Sequence, residues 1–232
     1  MSITLFIREK FISYQSKNSY AFKFRSKRAR RIMSLIDTCF EKYGQVNLID
    51  IGGTESYWDI FPREYLIDKK VHITLINTPE TTSSFKSNNF FTITEGDGCN
   101  LHQFGNKEFH IAHSNSVIEH VGITWERKQA FATEMMRVAE HYYIQTPNYW
   151  FPLEPHFVTP FFQWFPRSFR IKLLQNFTLG WFKKTPNYEK AKSIIEGCDL
   201  LTKNEMIRLF PNAKLHKEKF LFLTKSLILI DQ

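Results

Sequence analysis

Residues 48–54, Leu-Ile-Asp-Ile-Gly-Gly-Thr, carry aliphatic side chains of the kind that fill a buried strand straight into one carboxylate, Asp50, and two glycines, Gly52 and Gly53. Glycine has no β-carbon, so the backbone of such a turn can come close to a ligand, and the carboxyl edge of a parallel sheet is where open α/β sheets bind nucleotides. Taken singly, the run reads equally well as a tight turn. Similar polar endings follow: Asn77 closes HITLIN, Asp97-Gly98-Cys99 follows FFTITEG, and Ser114-Asn115 closes FHIAH. Each of these alone is an ordinary capped turn, because Asp, Asn and Ser are the usual residues there. Two further pairings, Glu119-His120 and Glu154-Pro155-His156, add imidazoles that change charge near neutral pH beside carboxylates.

The elements that position these groups alternate. Strand-like runs at 72–80, 90–98, 109–121 and 140–148 follow the first one, and Pro79 and Pro147 close two of them. Between the last two lies a helical pattern over 124–141, with Phe131, Met135 and Val138 at spacings of four and three. The alternation predicts an α/β chain with a mostly parallel sheet and helices on both faces. Near the C-terminus Thr202 and Glu205 form a capping-box pattern ahead of Met206, Leu209 and Phe210. Two strand-like runs, AKLHKEKFLF and KSLILI, close the chain.

At 232 residues and 43% hydrophobic content, residues 1–232 suffice for one domain with a full core. It divides into an N-terminal helical segment, 1–45, a sheet region, and an insertion at 150–200. The net charge of +8 raises a nucleic-acid reading, densest at KFRSKRARR, residues 23–31. On a helix, however, Lys27, Arg30 and Arg31 form a solvated face while Ile32, Leu35, Ile36 and Phe40 form an apolar stripe, and this reading is preferred. The three cysteines, Cys39, Cys99 and Cys198, are odd in number and widely spaced, which indicates neither a disulfide framework nor a metal site. MSITLFIREKFISY is too short in apolar residues for a secretory signal, and no run approaches a membrane span, so a cytoplasmic chain is expected.

Together the ordered motifs GGT, Asn77, Asp97, SNSVIEHVG (114–122), QTPNYWFPLEPHF (145–157) and KSLILI (225–230) resemble the class I S-adenosylmethionine-dependent methyltransferases, over about Val46 to Ile230. The resemblance implies a Rossmann-like seven-stranded sheet of order 3-2-1-4-5-7-6. It implies S-adenosyl-L-methionine as cofactor and S-adenosyl-L-homocysteine as product. Gly52 and Gly53 would then admit the methionine portion, with Asp50 meeting its ammonium directly or through water. Asn77 would bind the ribose hydroxyls. Asp97 would accept the adenine amino group, with Gly98 beside the ring and the Cys99 N–H as a further donor. Ser114 and Asn115 would flank the methionine and the methyl.

Three departures accompany the likeness. Thr54 and Ser56 stand where the family alternates glycines, neutral Asn77 stands where relatives carry an acid, and His110 occupies another commonly acidic place. An amide at 77 can still accept and donate, without a charge-assisted bond.

An oxygen nucleophile needs its proton removed near neutral pH. His156 is the first choice of catalytic base, with Glu154 beside it; His120 is either a second candidate or a residue that holds the turn. The stretch Trp150–Lys184 carries eleven aromatic and five basic residues against one acid, Glu154. Phe161, Phe162, Trp164, Phe165 and Phe169 predict a helical lid over an acceptor pocket, a contact surface, or a satellite core beneath a long loop. The composition suits a small-molecule, glycan or lipid-linked acceptor, with peripheral membrane contact through the lid. The leading expectation is O-methylation; RNA methylation and a non-catalytic scaffold on a degenerate methyltransferase fold are the alternatives.

Overall fold

The computed structural model describes residues 20–82, 87 and 89–231. The run MSITLFIREKFISY and the first part of the 1–45 helical segment lie outside them. In chain order the elements are α1 (Tyr20–Tyr43), β1 (Val46–Ile51), α2 (Glu55–Trp58), α3 (Arg63–Asp68), β2 (Val71–Asn77), α4 (Pro79–Thr82), β3 (Phe91–Glu95) and β4 (Phe109–Asn115). A 3-10 turn (Ile118–His120), α5 (Trp125–Val138), β5 (Ala139–Pro147), β6 (Leu153–Glu154) and β7 (Thr159–Pro160) follow. The chain closes with α6 (Arg167–Asn176), α7 (Tyr188–Glu196), α8 (Lys203–Leu209), β8 (Lys214–Phe220) and β9 (Leu223–Ile230).

Seven strands form one sheet, β3-β2-β1-β4-β5-β9-β8. The first five are parallel; β9 runs antiparallel to β5, and β8 to β9. Strands β6 and β7 make a separate small hairpin, so counting sheet strands alone gives the expected order 3-2-1-4-5-7-6. Strand β1 shows why the sheet is layered this way: Val46 and Leu48 pack into one core, Ile49 and Ile51 into the other. Successive side chains of a strand point to opposite faces, and a central parallel strand must be apolar on both.

Helix α1 covers the first face with Ala29, Ile32, Leu35, Ile36 and Cys39. Helix α5 covers the second with Phe131, Ala132, Met135 and Val138, and Thr124 caps its first turn by accepting from the Arg127 N–H. His110, which had no role on the sequence, accepts the Asn47 N–H at 3.0 Å and stacks on Tyr43 with ring centroids 4.2 Å apart.

The insertion has its own small core of Phe157, Phe162, Ile171, Leu174, Ala191, Ile195 and Cys198. Of the five aromatics expected on a lid, Phe162 is therefore buried, whereas Phe161, Trp164, Phe165 and Phe169 stay exposed. No helix among the described residues is long and apolar enough to cross a membrane.

At α8 the capping box is complete: Thr202 Oγ1 accepts the Glu205 N–H, and Glu205 accepts the Thr202 N–H at 2.7 Å. Replacing Thr202 with Ala should lower unfolding free energy by about 1 kcal/mol. Urea unfolding would read this as a lower midpoint with an unchanged slope; an unchanged midpoint would count against the cap.

Candidate active site

Burial of a charge organises the end of β1. Asp50 is fully buried; the Trp58 Nε1–H donates to its Oδ2 at 2.9 Å and His113 Nδ1 lies 2.6 Å from its Oδ1. An ionised carboxylate only accepts, which assigns the proton to His113 Nδ1. Both oxygens of Asp50 thus already have donors, and any contact with a ligand ammonium is an additional one.

The glycine turn lies over this carboxylate. Gly52 has φ +74°, its N–H donates to the Ile76 carbonyl at 2.8 Å, and a β-carbon there would sit 2.6 Å from Val117 Cγ2. A β-carbon on Gly53 would run into the Asp50 carboxylate itself. Both glycines are required by space, and Gly52 by backbone conformation as well.

Asn77 spends its amide on the same turn, donating from Nδ2 to the Gly53 carbonyl at 2.8 Å. Ser114 corrects an expectation: it is fully buried, its hydroxyl donating to the Ile51 carbonyl at 3.2 Å, so it braces β1 against β4 and does not flank the cavity. Asn115, the next residue, points the other way and does line it.

That cavity has a volume of about 250 Å³ and opens among Arg28, Gly52, Gly53, His113, Asn115 and Ser116. Arg28 was missed on the sequence. Its Nη1 donates to Asn115 Oδ1 and Gln145 Oε1, both at 2.7 Å. Its Nε is 3.1 Å from Glu218 Oε1, an ion pair off the line of a hydrogen bond. The signal was present: Arg28, Ile32 and Ile36 recur at intervals of four, which puts Arg28 on the apolar stripe while Lys27 and Arg30 stay exposed.

At the expected adenine end, Asp97 is held by Arg127, whose Nη1 and Nη2 donate at 2.8 and 3.1 Å. The Arg127 hydrogen bonds hold the Asp97 carboxyl below its ordinary range, against a smaller opposing effect of burial. The Cys99 N–H, expected to donate to a ligand, donates to Asp97 Oδ1 at 2.9 Å. Cys99 is buried and its thiol is pushed up to about 11, chiefly by desolvation. A β-carbon on Gly98 would lie 2.7 Å from Ile51 Cγ2, so this glycine serves packing between β1 and α5.

The candidate proton-transfer groups come together. The rings of His120 and His156 meet edge-on with centroids 4.7 Å apart. His156 Nδ1 lies 2.7 Å from Glu154 Oε1, and Glu154 Oε2 accepts the Phe157 N–H at 2.6 Å. Burial is the largest single influence on His156 and disfavours its charge, but the hydrogen bond and charge of Glu154 together with Glu119 outweigh it, and the imidazole is raised above its usual value. His120 Nδ1 lies 2.6 Å from the Gly197 carbonyl, which supports the turn-holding role weighed for it.

No protein-family model matches the sequence, and no curated protein does. Solved structures match the whole architecture. A SAM-dependent methyltransferase from Archaeoglobus fulgidus superposes with a TM-score of 0.54 at 11% identity, covering 99% of both chains. The CurJ carbon methyltransferase superposes with a TM-score of 0.54 at 12% identity, over 99% of this chain and 57% of that one. The fold is that of the class I methyltransferases. Within this methyltransferase fold the cavity sits at the carboxyl ends of β1 and β4, where the sheet order turns back on itself, the position at which open α/β sheets take ligands.

The Asp97–Arg127 pair carries a pH signature. A carboxyl depressed in the folded state adds stability that is present above its unfolded pKa and is lost as pH falls through the folded value. The NMR titration of Asp97 should therefore fall below the ordinary aspartate range and return toward it in Arg127→Gln; a midpoint unmoved by the substitution would refute the pairing.

Proposed function

We propose that the chain is an S-adenosylmethionine-dependent methyltransferase whose cofactor occupies the cavity beside the β1 turn. The observation that carries this reading is a glycine turn that no β-carbon fits, facing a fixed cation, Arg28, at the ligand-binding edge of a methyltransferase fold. His113, which lines this cavity, also has a buried Nε2 with no hydrogen-bond partner among the described residues.

Arg28 and Asn115 are the groups for the carboxylate and ammonium of the methionine portion, and Asn77 Oδ1 for the ribose. Asp97 and Gly98 mark the adenine end, with Arg127 sharing the Asp97 oxygens. Bound there, the cofactor supplies a methyl group on a sulfonium whose positive charge disperses as the methyl leaves. The protein's own task is to orient the acceptor in line and keep water out.

The acceptor class we favour is an oxygen of a small molecule, a glycan or a lipid-linked glycan. The proton acceptor is drawn from His156, His120 and Glu154. Exposed rings of the insertion support a planar or amphipathic acceptor: Trp150 is 62% exposed, and Trp181, whose N–H donates to the His156 carbonyl, 49%. The same rings, with Arg167, Lys172, Lys183 and Lys184 nearby in sequence, suit contact with an anionic membrane surface. An RNA acceptor has less support, because Arg28 turns inward from the centre of the basic run.

One observation favours a second reading, a binding protein without turnover: Asp50 and Asp97 both have internal partners. Calorimetric titration with S-adenosylhomocysteine tests both. The proposal expects one site per chain, weakened in Arg28→Lys, which keeps the charge but loses the fork to Asn115 and Gln145. Absence of binding in the native protein would overturn the methyltransferase reading; binding without methyl transfer to any oxygen acceptor tried would favour the second.

A further inference from the structure

We propose that His120, His156 and Cys198 form a binding site for a zinc-like divalent cation that ties the aromatic insertion to the sheet. The three residues come from separate pieces of chain: the 3-10 turn after β4, the loop between β6 and β7, and the segment just beyond α7. One donor atom from each lies within 4.8 Å of the other two.

Both imidazoles are set for coordination. A carbonyl and a carboxylate only accept, so the Gly197 carbonyl at 2.6 Å and Glu154 Oε1 at 2.7 Å assign the proton to Nδ1 of His120 and His156 respectively. Each ring then offers its Nε2 lone pair. Histidines that bind zinc place their other N–H on a carboxylate or backbone carbonyl, which fixes tautomer and orientation. Here one ring has each kind of support.

The third donor selects the class of cation. Two imidazole nitrogens with a sulfur suit zinc and its neighbours, whereas magnesium and calcium require oxygen.

A second, independent observation is a buried carboxyl group with one oxygen left without a hydrogen bond. Glu119 is fully buried; its Oε2 accepts from Thr146 Oγ1 at 2.9 Å, while its Oε1 has no partner among the described residues. Glu119 adjoins His120 in sequence. Leaving a buried acceptor unmade is costly, and a cation beside these rings would offset that cost.

The proposal rests on the methyl-transfer reading for one consequence only. A cation on Nε2 of His156 would replace that nitrogen as the group that activates an acceptor hydroxyl.

Cobalt(II) added to chelator-treated full-length protein provides the test, because thiolate coordination gives a near-ultraviolet charge-transfer absorption. One equivalent should bind with that absorption and be displaced by zinc. Cys198→Ser should abolish the absorption, His156→Ala should weaken binding about tenfold or more, and Cys99→Ser should change neither.

Zinc should also raise the melting temperature and protect Cys198 from alkylation, read by peptide mass spectrometry, which keeps the test decisive if Cys198→Ser does not fold. Absence of the absorption in the native protein, its survival in Cys198→Ser, or unprotected alkylation of Cys198 would overturn the site. Homocysteine-form cofactor binding measured on the same samples separates the two proposals: its presence without cobalt binding sinks the cation site alone, and cobalt binding without it sinks the cofactor reading alone.

Discussion

A carboxylate sealed beneath a glycine turn is the constraint on which the rest of the site depends. Asp50 has no exposure, so its charge is tolerable only with donors on both oxygens. One donor, Trp58, fixes α2 against the end of β1; the other, His113, fixes β4 beside it. The space above the carboxylate then excludes any β-carbon at position 53, and the turn left over is a bare backbone edge facing the cavity. Leaving a buried acceptor without its donor costs roughly 1–3 kcal/mol, more for a charged group, so the ligand-facing turn and the local fold stand or fall together.

Arg28 extends this coupling across the molecule. From α1 it reaches Asn115 at the end of β4, Gln145 on β5 and Glu218 on β8, so one guanidinium joins a helix to three strands of the sheet. Planar, five-donor geometry allows this where an ammonium would serve one direction at a time. The cavity wall is therefore also a structural fastening.

Strand ends were legible because an apolar run followed by a polar residue and a glycine or proline has a physical cause at every position: burial, then a turn. Asp50, Gly52, Gly53 and Asn115 stand at the ends of β1 and β4 for that reason. Ser114 and Asn115 differ by one residue, and which of them faces the cavity is decided by the pleat, which a one-residue shift reverses. Arg28 was hidden by treating a basic run as a whole, since charge counts average over helix faces. The meeting of His120, His156 and Cys198 depends on tertiary packing of distant segments and left no local spacing to read. Phe162 and its exposed neighbours share one composition, and only the small core of the insertion separates them.

The far edge of the sheet has a consequence of another kind. Among the described residues strand β8 pairs only with β9, and a strand with one open side is a template on which a second chain can polymerise. Along it stand Lys214, Lys217 and Lys219, and a register shift between Glu218 and Lys219 breaks its regularity. Like charges brought face to face repel, and a bulge denies an incoming strand an even row of partners. For a chain that displays so many aromatic rings to water, this border is a safeguard against fibrous self-association.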